Sequence, residues 1–167
     1  MPDMTKFPIN PDAGIGFPAF AGTSLRQLAH AEGVVVDFGS HRFVHCSGKT
    51  ATDDEANTVD GRNQLVGEGD IGTQTRQVLK NIDRVLKLGG ATLDDIYRMR
   101  VYVVAPMTSD DFAAIHRVRT DLFNRQHYPA STLVVVAGLA RLGALIEIEA
   151  EAVVAAPGGG APSQSHS

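Results

Sequence analysis

The chain has a single cysteine, Cys46, which excludes an internal disulfide framework and suits a reducing compartment. It has no excess of basic charge: 15 Lys and Arg face 19 Asp and Glu, for a net charge of -4. No basic stripe therefore argues for nucleic acid or an anionic membrane as partner. No apolar run approaches the roughly 20 residues of a membrane span, and no charged segment followed by an apolar core opens the chain. A soluble, cytoplasmic protein is expected. Its 6 histidines form no metal pattern, because His41 and His45 are the closest pair and lack a third ligand at a recognised spacing. Gly67-Glu68-Gly69 lacks the further glycines and the preceding strand of a phosphate-binding loop.

What is present is one domain's worth of chain, 167 residues with 43% hydrophobic content, organised around residues 131–154. Residues 133–136, Leu-Val-Val-Val, form a continuous apolar run that suits a strand covered on both faces. Residues 145–153 alternate instead. Strand side chains point up and down in turn, so Glu147, Glu149 and Glu151 share one face while Ile146, Ile148, Ala150 and Ala152 take the other. Neighbouring carboxylates in such a row lie on the order of 7 Å apart. The row reads either as the solvated edge of a half-buried sheet or as a set from which one glutamate points into a cleft. In a cleft, like charges and desolvation raise its pKa toward the range useful for proton transfer.

Residues 1–24 contain Pro2, Pro8, Pro11 and Pro18 among scattered Met and Phe without a regular period, and read as an irregular N-terminal arm. The domain proper is expected over 25–156. Residues 157–167 carry no apolar side chain larger than proline and read as a flexible tail. Residues 34–38 and 43–46 are apolar runs separated by Gly39-Ser40-His41, a hairpin signal. A polar stretch from Lys49 to Asp70 follows, long enough to be a lid over a site or a surface insertion. Ile71, Val78, Ile82 and Val85 recur at helical spacing, with Asp70 as cap and Gly89-Gly90 as stop. A second helix begins at Ser109, with Asp110 and Asp111 in its first turn and an apolar arc of Phe112, Ile115, Val118, Leu122 and Phe123. His116 falls on the border of that arc. Arg119 falls within it and calls for a carboxylate, a subunit boundary or an anionic ligand, unless its stem covers apolar surface while its head reaches water. Between the helices, Tyr97, Met99, Val101 and Val103 alternate with Arg98, Arg100 and Tyr102. The order hairpin, helix, strand, helix, strand, strand predicts an α+β fold with two helices on one face of a mixed sheet. Apolar side chains on both faces of several strands imply a second subunit as cover.

The run Gln74-Thr-Arg-Gln-Val-Leu-Lys-Asn-Ile-Asp-Arg-Val-Leu86, with Gly90-Ala-Thr-Leu-Asp-Asp-Ile96, Val101-Tyr-Val103, Asp111-Phe112, Pro129-Ala130 and Ile146-Glu-Ile-Glu-Ala150, resembles the Rid, or YjgF-like, family from about residue 34 to 154. The resemblance implies a chorismate-mutase-like fold, a homotrimer with small-molecule pockets between subunits, and hydrolysis of enamines or imines to ketones and ammonia without a cofactor. Some members are described as ribonucleases, an activity that an acidic chain does not suit.

Carried over residue by residue, the family's pocket serine and glycine match Ser47 and Gly48, and its water-positioning glutamate matches Glu147. The family's deaminases carry an arginine directly after Pro-Ala that grips the substrate carboxylate; Ser131 stands there in this chain. Losing such a paired contact costs on the order of 3 kcal/mol. The pocket asparagine on the second helix corresponds to His116, the aromatic residue one turn later to Arg119, and the glutamine after Ser-Gly to Lys49. Arg119, Lys49 or Arg141 are the candidates for a displaced cation. The expected activity is deamination of an enamine or imine other than the family's usual 2-imino acids. Glu147 would activate water, His116 would act as acid or orienting group, and Ser47, Gly48, Ser131, Arg119 and Lys49 would bind substrate. A different hydrolase or lyase on the same scaffold, or a non-catalytic ligand-binding or stress-protective trimer, are the alternatives. Cys46 reads as a small buried thiol, since His45 points to the opposite strand face and cannot serve as its base.

Overall fold

The computed structural model describes residues 4–10, 30–53 and 64–157. The tip of the expected lid, the tail from residue 158 and most of the N-terminal arm lie outside those residues. Six strands, β1 (Thr5–Ile9), β2 (Gly33–Asp37), β3 (His41–Lys49), β4 (Ile96–Val104), β5 (Ala130–Val136) and β6 (Ile146–Ala155), accompany two helices, α1 (Ile71–Leu88) and α2 (Ser109–Leu122). The strands form one sheet in the order β1-β2-β3-β6-β4-β5. Only β4 and β5 run parallel; the other neighbours are antiparallel. This is the α+β mixed sheet that the sequence predicts, with one strand more. Thr5–Ile9, within the stretch expected to be irregular, pairs along β2 from Thr5 opposite Asp37 to Ile9 opposite Gly33. Pro8 hides the strand in the sequence, yet it is tolerated because β1 is an edge.

Local chemistry sets the element ends. The Asp70 carboxylate accepts from the Thr73 backbone N–H at 3.0 Å and so caps α1. At the other end Gly90 takes a left-handed φ of 85°, and the Ala91 N–H returns to the Leu86 carbonyl at 2.9 Å. Helix α2 is capped by Thr108, whose hydroxyl accepts from Asp111 N at 3.1 Å while the Asp111 carboxylate accepts from Thr108 N at 2.8 Å.

The core lies between α1 and the sheet. Val78, Leu79, Ile82, Val85 and Leu86 meet Val44, Met99, Val101, Ile146 and Ile148, all within a hundredth or so of full burial. Each large side chain of this kind contributes about 1.5–3 kcal/mol on burial. Tyr97 departs from the expected alternation. A bulge between Ile96 and Arg98 inserts a residue, so Ile96 is buried and the Tyr97 hydroxyl turns to Glu151. Phe112, expected in the apolar arc of α2, is 45% exposed and stacks instead on His116. The run 133–136, expected to be covered on both faces, belongs to an edge strand, and Val134 and Val135 are each 45% exposed. Among the described residues nothing further pairs β5, which leaves its outer edge and these valines open.

Two polar side chains of α1 are buried in the apolar stripe and tie loops to the helix. Gln74 donates to the carbonyls of Gly67 and Gly143 at 3.2 and 3.0 Å and accepts from Leu145 N at 2.8 Å. Asn81 donates to the carbonyls of Thr50 and Thr52 at 3.1 and 2.7 Å. Gln74 thereby fixes the entry to β6, two residues before Glu147. Replacing Gln74 with Leu strands three part-buried backbone groups, at about 1–3 kcal/mol for each that water does not reach. Urea unfolding of Gln74→Leu should show a loss of about 3 kcal/mol or more; a loss under about 1 kcal/mol would mean that the loops are held by something else.

Candidate functional site

Strand β6 is not an edge but the centre of the sheet, and its three glutamates face away from the helices, opposite buried Ile146, Ile148 and Ala150. They differ in their partners. Glu151 accepts from the Tyr97 hydroxyl at 2.7 Å and meets Arg100 Nη1 at 2.9 Å. Glu149 accepts from the Tyr102 hydroxyl at 2.8 Å and meets the same guanidinium at 3.2 Å. Among the described residues, no hydrogen bond or ion pair reaches the carboxylate of Glu147. The Tyr97 hydrogen bond, and then Arg100, hold the Glu151 carboxyl below the ordinary glutamate range against the opposing effect of burial. Burial pushes Glu147 the other way, and the charge of Glu149 adds to the rise.

The Glu147 carboxylate rests against the backbone of Gly48. The strand pairing of β3 with β6 shifts between Cys46 and Lys49, so Ser47 and Gly48 bulge beside the acidic face. A Cβ at Gly48 would collide with Glu147 Oε1. The carboxylate therefore occupies space that only glycine leaves open. Ser47 is committed to structure: its hydroxyl donates to the Ala31 carbonyl at 2.8 Å and its N–H to the Glu32 carbonyl at 2.9 Å. Lys49 is drawn to Glu32 Oε1 at 3.7 Å, and Arg84 of α1 donates to both Glu32 oxygens at 3.0 and 2.8 Å. Lys49 thus answers the part-buried Glu32 rather than reaching the Glu147 carboxylate. Cys46 is buried in the core, as its small apolar character predicts.

The remaining expected residues gather elsewhere. His116, Arg119, Thr120, Phe123, Tyr128, Pro129 and Ser131 line a cleft of about 240 Å³ between α2 and the start of β5. Arg119 Nη1 donates to Ser131 Oγ at 3.2 Å. Among the described residues no carboxylate lies within ion-pair reach of Arg119, and burial lowers its pKa, although a guanidinium stays charged throughout the physiological range. The His116 ring stacks on Phe112 with centroids 4.3 Å apart, and burial together with the Arg119 charge lowers its pKa. His116 is therefore mostly neutral near pH 7.

Glu147 and this cleft are on opposite faces of the sheet. Ser131 pairs with Met99 and so shares the helix-side face, whereas Glu147 pairs with Tyr102 on the open face. The expected residues thus fall into two groups: Glu147 with Gly48, and His116 with Arg119 and Ser131. Sequence reasoning missed Tyr128 as a wall of the cleft. Its only signal was its place just before Pro129-Ala130.

The sequence profile of the family described as endoribonuclease L-PSP matches residues 29–154. The chain is 37% identical over 92 residues to a RutC family protein of Pyrococcus horikoshii, covering 55% of this chain and 69% of that protein. It is 30% identical over 112 residues to a RutC family protein of a Synechocystis species, covering 67% and 78% of the two chains. Among solved structures, a member of the YjgF/YER057c/UK114 family from Mycobacterium tuberculosis superposes with a TM-score of 0.62 at 27% identity, covering 90% of this chain and all of that one. TdcF of E. coli with bound serine superposes with a TM-score of 0.55 at 28% identity, over 75% and 87% of the two chains.

A glutamate whose folded pKa lies above its unfolded value contributes most to stability while protonated, and that contribution is lost as pH rises through the folded value. Near pH 7 the buried charge of Glu147 is therefore a cost that a neutral amide removes. Thermal melts of Glu147→Gln should lie above wild type at about pH 7 and converge with it below about pH 4. A variant less stable than wild type at neutral pH would mean that the carboxylate is satisfied.

Proposed function

The chain belongs to the endoribonuclease L-PSP family, which includes the YjgF and Rid proteins, and on that premise we propose that it hydrolyses a small enamine or imine to the carbonyl compound and ammonia. One observation carries the proposal: a half-buried glutamate without a partner among the described residues, seated over a glycine, in a row whose other members are each met by a tyrosine and Arg100. A carboxylate left in that state is costly for folding and useful for chemistry. The substrate as an imine presents an electrophilic carbon. Glu147 holds a water and takes its proton as the oxygen adds to that carbon. That proton passes to nitrogen to give a carbinolamine; the carboxylate then takes the proton of the new hydroxyl and returns it to nitrogen as the carbon–nitrogen bond breaks, so ammonia leaves as the carbonyl forms. Atoms balance with water as the only co-reactant.

His116 fits an orienting role better than a proton-donating one, because its lowered pKa keeps the ring neutral. The Gly48 backbone borders the reacting space, and Ser47 fixes the bulge that places it. A substrate held at the Arg119 cleft cannot reach Glu147 through the sheet of the same chain. The working site therefore combines Glu147 and Gly48 of one copy with His116, Arg119 and Ser131 of the next, in a homotrimer. The half-exposed valines of β5, an edge strand with one on each face, support such a contact. The serine in the TdcF structure supports a small-molecule ligand. A ribonuclease reading has against it a net charge of -4 and an open sheet face bearing three glutamates.

Ammonia release across a panel of enamines tests the chemistry. Glu147→Gln should lower kcat by about 10²–10⁴-fold. Gly48→Ala should fold yet lose comparable activity, because its methyl evicts a carboxylate that can swing away. Retained turnover in Glu147→Gln sinks the assignment. Light scattering of the purified chain should give the mass of a trimer, and a monomer would leave the two halves of the site unjoined.

A further inference from the structure

We propose that Glu32, clamped by Arg84 of helix α1, is a positioning residue for Glu147: it fixes the bulge at Ser47 and Gly48 on which the Glu147 carboxylate rests. The proposal rests on the role given to Glu147 above and adds the part of the chain that holds its seat. Across the bulge two residues of β3, Ser47 and Gly48, stand opposite one residue of β6, because Cys46 pairs with Ala150 and Lys49 with Ile148. The ladder to β6 is interrupted there, so the hold on the bulge comes from its other side.

Ala31 and Glu32, just ahead of β2, supply that hold. Ser47 donates its N–H to the Glu32 carbonyl at 2.9 Å and its hydroxyl to the Ala31 carbonyl at 2.8 Å. Those carbonyls are only as fixed as the residues that carry them, and Glu32 is fixed from several directions. Its N–H donates to the Ile9 carbonyl at 3.0 Å, at the end of β1. Its carboxylate accepts from Arg84 Nη2 with both oxygens, at 3.0 and 2.8 Å, and from Asn10 Nδ2 at 3.3 Å. Lys49 Nζ approaches Oε1 at 3.7 Å, which fastens the residue directly after Gly48 to the same carboxylate. The bulge is thus tied to one residue at both of its ends.

Arg84 gives the clamp a rigid reference. Ile82, Val85 and Leu86 beside it on α1 are fully buried in the core, so the backbone that carries the guanidinium is anchored. The consequence reaches the chemistry. Burial is the main cause of the raised Glu147 pKa. A seat that yields admits solvent to the carboxylate and lets the attacking water drift, and a displacement near 1 Å costs up to about 10²-fold in rate. Among the described residues, the charged and titratable groups around Glu147 are Glu149 of its own strand and Tyr102 of β4, with Arg100 held by Glu149 and Glu151. Strand β3 adds Lys49, whose ammonium is turned to Glu32. A substitution at Arg84 changes none of these.

Arg84→Gln is the decisive variant, because it removes a positive charge. Acting through space alone, that loss would raise the Glu147 midpoint, whereas a loosened seat lowers it. Carbon-13 NMR titration of Arg84→Gln should therefore give a Glu147 midpoint below that of wild type. With an enamine that wild type turns over, kcat should fall about 10–10²-fold while KM stays within about twofold, and Arg84→Lys should recover most of the loss. Glu32→Gln should match Arg84→Gln in kcat, and the double variant should fall no further, because two halves of one clamp are not additive. Should Glu32→Gln fail to fold, Glu32→Asp, too short to meet both cations, replaces it and should show a smaller fall in kcat. An unchanged or raised midpoint in Arg84→Gln, wild-type kcat in that variant, or a double variant that multiplies the two single losses would overturn the proposal. The midpoint is read without turnover, so absence of deamination in wild type would sink the role of Glu147 and leave the clamp to be judged by the titration.

Discussion

The burial of one carboxylate against one glycine is the constraint on which the rest depends. Glu147 sits in the central strand, paired with Tyr102 of β4 and next to Ile148, which pairs with Lys49 of β3, so the side chain cannot leave by shifting register without turning Ile146 and Ile148 out of the core. The bulge at Ser47 and Gly48 then leaves open the space that its carboxylate occupies. Arg100 is a short step away but is already shared by Glu149 and Glu151. The fold therefore satisfies two acids of the row and leaves the third in reserve. That asymmetry, rather than the presence of acids, distinguishes a reactive group from a solvated face.

The second feature is a separation. The sheet separates two charges that meet no opposite charge among the described residues: Glu147 is on the open face, and Arg119 lines a cleft on the helix side. Two opposite unbalanced charges kept apart by a sheet cannot neutralise each other within a chain, and each stays available. Strand β5 lies between them at the sheet's edge, with exposed valines where a neighbouring chain would dock. Assembly, on this account, both covers apolar surface and brings the charges to opposite ends of one ligand.

Much of this was legible in the sequence. Helix α1 followed from its period and its Asp70 and Gly90 caps, β4 from its alternation, and the glutamate row from period two, because each rests on local spacing. What escaped depends on relations between distant segments. The two bulges, at Cys46 to Lys49 and Ile96 to Arg98, are defined by the partner strand and leave no local mark. Strand β1 was masked by Pro8, and the edge position of β5 depends on strand order rather than composition. Lys49 looked available until Glu32 was seen beside it, and the Arg119–Ser131 contact joins a helix to a strand across a turn. The burial of Gln74 and Asn81, which organises the loops, has no counterpart among the expectations drawn from the sequence.

The most direct measurement is the ionisation of Glu147 itself, followed by carbon-13 NMR of its side-chain carboxyl through a pH titration, with Glu151 as internal reference. The account predicts a midpoint above the ordinary glutamate value of 4.5 for Glu147 and below it for Glu151. A Glu147 midpoint at or below that value would show a solvated or paired carboxylate, and would contradict the claim that this residue is held ready to move a proton.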